Sequence, residues 1–249
     1  MKLIKQSNLL TILFFTNLFL FSYPFVKSSF AQNKSPFEGL YIEGQVNYTQ
    51  VQDIDLKNFT GTISNGREFT NLKGKLGYDS DIGYGVEVGV SEFLNKNFRL
   101  GLSYGANKIE LKKATNVSGA TTSEPDANGE RTTLDTIGPS VTPQQIRDFG
   151  LNFNSNVKIY SLNAYYDFNN FNSFVPFVGV GIGQADILNA KHKELSKSLY
   201  LGARYLVDKN IYVGGKGTYS MIDGPEDKNG MKYDDISLYA VTLSVGYQF

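Results

Sequence analysis

Apolar and polar residues alternate strictly through Val241-Thr-Leu-Ser-Val-Gly-Tyr-Gln-Phe249. Val241, Leu243, Val245, Tyr247 and Phe249 share one parity; Thr242, Ser244, Gly246 and Gln248 share the other. A period of two places each set on its own face of a β-strand. The pattern recurs in segments 39–51, 82–91, 98–109, 157–168, 174–185, 198–207 and 211–221, and the closing segment spans 237–249. Segment 211–221 is the weakest of them. Each has about the ten residues that a tilted strand needs to cross a hydrocarbon layer. A strand edge left open invites aggregation, and closure into a barrel removes it. The pattern predicts an all-β fold, an eight-stranded antiparallel up-and-down transmembrane β-barrel. One face of every segment would meet lipid, and the other would fill the interior.

The connections sharpen the picture. Segments two and three, four and five, and six and seven are joined by short turns. The other links are long, above all 52–81 (loop 1) and 110–156 (loop 2), which is rich in Thr, Asn, Ser, Asp and Gly. Loops 1 and 2 are expected to be polar, solvated and exposed. Short turns on one side of the membrane and long loops on the other are the habit of outer-membrane barrels. An even strand number then puts both termini on the periplasmic side. Phe98, Phe168, Phe174, Tyr205, Tyr247 and Phe249 fall near short-turn ends of the outward face. Tyr48, Tyr84, Tyr104, Tyr160, Tyr219 and Tyr239 fall near long-loop ends, as two interfacial girdles would require.

Residues 1–31 carry Lys2 and Lys5, then an apolar run from Leu9 to Tyr23, then Ser29-Phe30-Ala31. That order predicts a signal peptide cleaved before Gln32, with export and a barrel domain over 32–249. Losing Lys2, Lys5 and Lys27 lowers the 24 basic residues to 21, against 24 acidic ones. Such a balance is no nucleic-acid footprint. Cysteine is absent, which excludes disulfides and thiolate metal sites.

Three stretches carry a family resemblance: Gly39-Leu-Tyr-Ile-Glu-Gly-Gln-Val46, Val175-Pro-Phe-Val-Gly-Val-Gly-Ile-Gly183 and Val245-Gly-Tyr-Gln-Phe249. The chain resembles small outer-membrane β-barrel proteins of the OmpA, OmpX and opacity type, and the surface antigens of Rickettsiales and related alphaproteobacteria. The resemblance implies location in the cell outer membrane, in contact with its lipid and lipopolysaccharide. It also implies that Val241, Leu243, Val245, Tyr247 and Phe249 form an assembly signal read by the barrel-assembly machinery. No peptidoglycan-binding domain follows the barrel, unlike full-length OmpA, so no cell-wall tether is implied.

The inward parity carries Glu43, Glu87, Arg99, Asp167, Arg204 and Lys216. Unpaired charge in a narrow interior is costly, so a paired network is expected. Arg99 would meet Asp167 on a neighbouring strand, and Glu43 and Glu87 would face Arg204 and Lys216 across the lumen. Such a network serves either as a structural plug or as the lining of an ion path, and an eight-stranded barrel is just wide enough for side chains to fill. Inward glycines would make room for Tyr41, Tyr165, Phe177, Tyr200 and Tyr212. Gly179-x-Gly181-x-Gly183 resembles a dinucleotide loop, but Gln184 stands where Gly or Ala should be and no helix follows. No cofactor is expected. His192 is the only histidine, near Glu194 and Ser196 in a mixed-charge loop, and solvation is the expected role of that loop. With no metal constellation either, the sequence reads as a non-enzymatic surface protein. Its structural, adhesin or antigen role would run through loops 1 and 2, where an extracellular partner would bind. A small pore, and less readily a lipid- or peptide-hydrolysing enzyme, stand as alternatives.

Overall fold

The computed structural model describes residues 39–122, 128–130, 133–134, 140–169 and 173–249. The expected signal segment 1–31 lies outside them. Strand β1 (Leu40–Val51) enters the wall of a barrel. Strands β2 (Ile54–Thr62) and β3 (Glu68–Tyr78) leave it, and β4 (Asp81–Ser91) and β5 (Phe98–Ile109) return. A second excursion holds β6 (Leu111–Thr122), β7 (Thr133–Leu134), β8 (Ser140–Val141) and the short helix α1 (Pro143–Asp148). The remaining strands β9 (Ser155–Asp167), β10 (Phe174–Ile187), β11 (Glu194–Leu206), β12 (Ile211–Ile222) and β13 (Ile236–Gln248) complete the wall.

Strands β1, β4, β5, β9, β10, β11, β12 and β13 form a closed antiparallel barrel in which each pairs with its neighbours in chain order. Closure is made by β1 against β13, from Tyr41 opposite Gln248 to Val51 opposite Leu238. Backbone bonds finish the seam at the last residue: Phe249 N–H donates to Leu40 O at 2.8 Å, and Gly39 N–H donates to Phe249 O at 3.1 Å. Parity decides the two faces. Ile42, Val46, Tyr48, Val241, Leu243, Val245, Tyr247 and Phe249 are exposed on the outside, while Tyr41 and Glu43 are buried inside. Aromatic rings meet at both rims of the outer face. Phe98 and Tyr166 lie 5.3 Å apart, and Tyr247 and Phe249 5.0 Å apart, at the short-turn end. Tyr104 and Tyr160 (5.2 Å) and Tyr219 and Tyr239 (5.1 Å) do the same at the long-connection end.

The two long connections depart from expectation. The sequence pattern predicts polar, solvated loops 1 and 2. They fold instead into a second sheet, ordered β2-β3-β6-β7, with β8 also on β6. Its buried face holds Leu56, Phe59, Phe69, Leu72, Leu76, Leu111, Ala114 and Val141, joined by Ile146 of α1, Leu151 and Met231. Thr142 caps α1 through a reciprocal bond pair with Gln145, and this seats Ile146 on the sheet. Hydrophobic burial, not solvation, governs these segments.

This cap is stitched to the two shorter connections of the same end. Lys57 N–H donates to Lys232 O and Asp234 N–H to Asp55 O, while Lys57 pairs with Asp234 at 3.0 Å. Connection 223–235 in turn holds the β10–β11 tip: Lys191 N–H donates to Glu226 O, and Lys228 N–H to Asn189 O. Beneath the cap, Val51, Ile54, Ile109, Val157, Ala185, Ile222, Ile236 and Leu238 form a separate apolar layer across the barrel mouth. Tyr78 and Tyr233 pack against both clusters and join cap to mouth.

Candidate functional site: the filled lumen

The interior is built by the inward parity of all eight wall strands. Register first places Glu43 opposite Glu87 on β1 and β4, two carboxylates side by side. Such a pair needs cations or donors nearby. Glu87 is 0% exposed and meets both kinds of group. Tyr41 donates its hydroxyl to Oε1 at 2.6 Å, and Tyr165 and Asn163 donate to Oε2 at 2.8 and 2.9 Å. Lys216 lies 3.9 Å away and Arg99 3.8 Å away.

Arg99 is the most enclosed cation. Its guanidinium donates to Asp167 through Nε at 3.2 Å and Nη2 at 3.3 Å, the two-pronged geometry that guanidinium and carboxylate share. The ring of Tyr165 lies 4.1 Å below it, and those of Phe177 and Tyr41 lie 5.0 and 5.3 Å away. Asp167 also receives Arg204 Nη2 at 2.5 Å. Arg204 Nε and Nη1 are buried without a hydrogen-bond partner among the described residues. Each such orphan donor costs about 1–3 kcal/mol.

The structure therefore brings Arg99 to Asp167, and Lys216 to Glu87. It does not bring Glu43 to Arg204, which had been expected to face it. Glu43 instead accepts from Tyr212 at 2.9 Å and from Gln45 at 2.9 Å. The reason is local: Asp167, which already holds Arg99, also takes up Arg204, and Arg204 stacks 5.1 Å from the ring of Tyr212, whose hydroxyl serves Glu43. The tyrosines were expected only as fillers, yet four of them bind the carboxylates or the amide next to them. Tyr200 gives its hydroxyl to Asn163 Oδ1 at 3.0 Å, and Ser161 donates to the same oxygen at 2.8 Å. Asn163 was not singled out in the sequence. Its inward parity within 157–168 was the available signal.

Glycines set the fit. A Cβ at Gly101 would stand 2.6 Å from Glu87 Oε1 and against the Tyr41 hydroxyl, so only glycine leaves room for this bond. Gly246 likewise clears the ring of Tyr212. The gaps between Glu43, Arg99, Arg204, Lys216 and Ser244 are too narrow for a water molecule.

The other candidate chemistry does not converge. His192 is exposed on the β10–β11 tip, while Ser196 is buried on the inner side of β11. Acids of the long-connection end are engaged by neighbours. Asp79 pairs with Lys112 at 2.9 Å, Glu226 with Lys191 at 3.1 Å, and Asp235 accepts from Gly224 N–H at 2.9 Å. Among the described residues, no group of three His, Cys, Asp or Glu side chains could hold a metal ion.

An apolar belt between two aromatic rims, around a closed polar interior, defines a membrane-spanning β-barrel of the outer-membrane class. The chain belongs to the family of the outer membrane protein beta-barrel domain, whose model matches residues 23–249. It is a small eight-stranded barrel of the outer membrane. Similar solved structures include Neisserial surface protein A (NspA), at 13% identity and a TM-score of 0.47, over 85% of this chain and 97% of that one. Outer membrane protein AlkL, solved in DMPC lipid bilayers, is 13% identical with a TM-score of 0.46, over 88% and 94% of the two chains. OprG from Pseudomonas aeruginosa is 13% identical with a TM-score of 0.45, over 85% and 96%. No curated protein matches the chain significantly.

Proposed function

We propose that this protein is a closed, non-enzymatic surface barrel that works through its cap, as an adhesin, surface antigen or structural element of the envelope. The long-connection end faces outward, and the short turns and both ends of the wall face the periplasm. The observation that carries this reading is the double closure of the lumen. Interlocked charges and tyrosines fill its short-turn half, and an apolar layer under a folded cap covers its mouth. Substrate passage or catalysis needs an accessible cavity with convergent groups. The cap offers instead a polar outer surface on a rigid scaffold, where recognition usually resides. A small pore is the competing reading, favoured by the charge of the lumen. Planar-bilayer recording of purified protein decides between them: we expect no steady large conductance, and stable porin-sized steps would select the pore.

The reading includes export through segment 1–31, cleaved before Gln32, and insertion by the barrel-assembly machinery, with Val241, Leu243, Val245, Tyr247 and Phe249 as the signal. In the finished barrel the Phe249 side chain is exposed on the outer face, while its backbone closes the seam. Deleting Phe249 should therefore hinder assembly in cells more than it lowers the unfolding midpoint of barrel refolded in vesicles. Normal surface yield of the deletion would refute the signal.

A further inference from the structure

The barrel ladder breaks off early between β4 and β5. These strands pair from Ser91 opposite Arg99 up to Tyr84 opposite Ala106, and there the pairing stops. Both strands continue: β4 stays on β1 as far as Asp81 opposite Thr49, and β5 stays on β9 as far as Ile109 opposite Ser155. Beyond the split, Asp79 N–H donates to Glu110 O at 3.0 Å. Three polar side chains stand on its inner side. Thr49 Oγ1 lies 2.8 Å from Asn47 Oδ1 and 3.1 Å from Asn107 Oδ1. A hydroxyl has one proton, so it can serve only one of these oxygens. Both amide oxygens and the Ala106 carbonyl converge on Gly83. A Cβ there would stand 2.6 Å from Asn47 Oδ1, 2.7 Å from Ala106 O and closer still to Asn107 Oδ1. Asp81 shares the inward parity of Gly83 and lies opposite Thr49, with about 5 Å between Cβ atoms in such pairs. Its carboxylate accepts the Ile82 N–H at 2.6 Å and forms no ion pair among the described residues. Lys108 and Lys112, of the same rim, are held by Glu110 and Asp79.

We propose that this split binds a hard cation of calcium size. The donor set is all oxygen: one carboxylate, two amides, a hydroxyl and a backbone carbonyl, supplied by β1, β4 and β5. It needs a single acid, so no cluster of acids or histidines marks it, and no spacing in the sequence announces ligands from three strands. Calcium takes about six to eight such oxygens in flexible geometry, with water completing the shell, whereas magnesium demands a tight octahedron. Gly83 keeps the approach free of a side chain. One charged ligand sets weak binding, at about 0.1–1 mM as in the weakest calcium sites. Bound there, the ion replaces the missing ladder bonds and ties β4 to β5 at the root of the cap.

The test is terbium luminescence. Tb3+ occupies calcium sites and emits when a nearby tyrosine passes it energy; Tyr48 and Tyr84 are the chain neighbours of Thr49 and Gly83. The full barrel is folded in phosphatidylcholine vesicles, which carry no net charge, and is freed of metal with a chelator. Wild type should give one saturable emission, displaced by Ca2+ at about 0.1–1 mM and not by Mg2+ at the same concentration. Asp81→Asn and Thr49→Val should each weaken Tb3+ binding about tenfold. The control Asp79→Asn, an acid of the same rim outside the donor set, should bind as wild type does. Heat-modifiability on gels verifies that each variant is folded. Calcium should also raise the unfolding midpoint of wild type and leave that of Asp81→Asn unchanged. Absence of emission overturns the proposal, and so does binding by both variants equal to wild type. An amide turned to place its N–H on the shared oxygen would fill the split without an ion, and it predicts the first of those results.

Discussion

Barrel and cap are both antiparallel sheets, yet they are turned inside out relative to each other. In the barrel the outward Leu243 is 69% exposed, and the inward Arg99 is 2% exposed. In the cap Phe69 and Leu76 are 1% and 2% exposed, and the lysines lie outside. Each sheet puts its apolar face where water is absent. For the barrel that place is the bilayer, which leaves its interior to polar groups that must satisfy one another. For the cap it is its own core. The barrel is therefore held by closure and paired charge, and the cap by ordinary apolar packing.

The largest effect should come from breaking the barrel's polar core. Asp167 is buried and neutralises Arg99 and Arg204 together. Replacing it with Ala leaves two guanidinium groups without a carboxylate on that side, and Arg204 already has two orphan donors. We expect Asp167→Ala to cost about 3–5 kcal/mol, read as the urea unfolding midpoint of barrel in vesicles. A loss below about 1 kcal/mol would mean that water enters the lumen and solvates the cations, which contradicts a filled interior.

A change of similar size in the cap should leave the barrel standing. Phe69→Ala removes a ring from the centre of the cap core, a truncation that costs about 3–5 kcal/mol in well-packed sites. The expected result is a split response. Limited proteolysis should cut between residues 52 and 81 in the variant and spare the wild type, while the barrel keeps its heat-modifiability. Loss of both at once would show that cap and barrel unfold as one unit through Tyr78 and Tyr233, and the comparison would fail.

The same contrast explains what the sequence reveals. Lipid on one side obliges a wall strand to alternate over its whole length, so boundaries such as Phe98–Ile109 and the faces of all eight strands are legible as period two. Cap strands carry no such obligation. In β3 the buried Phe69, Leu72 and Leu76 are spaced three and four apart, because the ladder with β6 slips between Thr70 and Lys73 and again between Lys73 and Lys75. In β2 the step from Leu56 to Phe59 crosses another bulge. Asn71 and Asn116 add backbone turns at positive φ of 53° and 54°. Bulges erase the parity signal, and abundant Thr, Asn and Gly hide the few core residues. Within the lumen, parity identifies who faces inward but not who pairs. The Arg99–Asp167 contact follows from neighbouring strands, whereas the choice of Arg204 between Asp167 and Glu43 is made across the lumen, among side chains of non-neighbouring strands, which parity does not encode.

The smallest expected effect lies beside the cap, where connection 223–235 is fastened to the β10–β11 tip. The Lys191 ammonium donates to Glu226 Oε1 at 3.1 Å at an exposed site, and its bond and charge hold the Glu226 carboxyl below its ordinary value. A carboxylate whose folded pKa is lowered adds stability that is fully present above its unfolded value, ordinarily 4.5, and is lost as pH falls through the lower folded value. Glu226→Gln removes the charge at every pH, so its deficit against wild type should be constant from neutral pH down to about 4.5 and should shrink below that. Salt should shrink it as well, because exposed pairs are screened within about 10 Å at 0.1 M. The backbone bond from Lys191 N–H to Glu226 O survives the substitution, so the tip should stay attached. Amide exchange at Lys191 provides the readout. A rise in exchange restricted to acid pH would reverse the assigned sign. Unchanged exchange at every pH would show that backbone bonding alone fastens the tip.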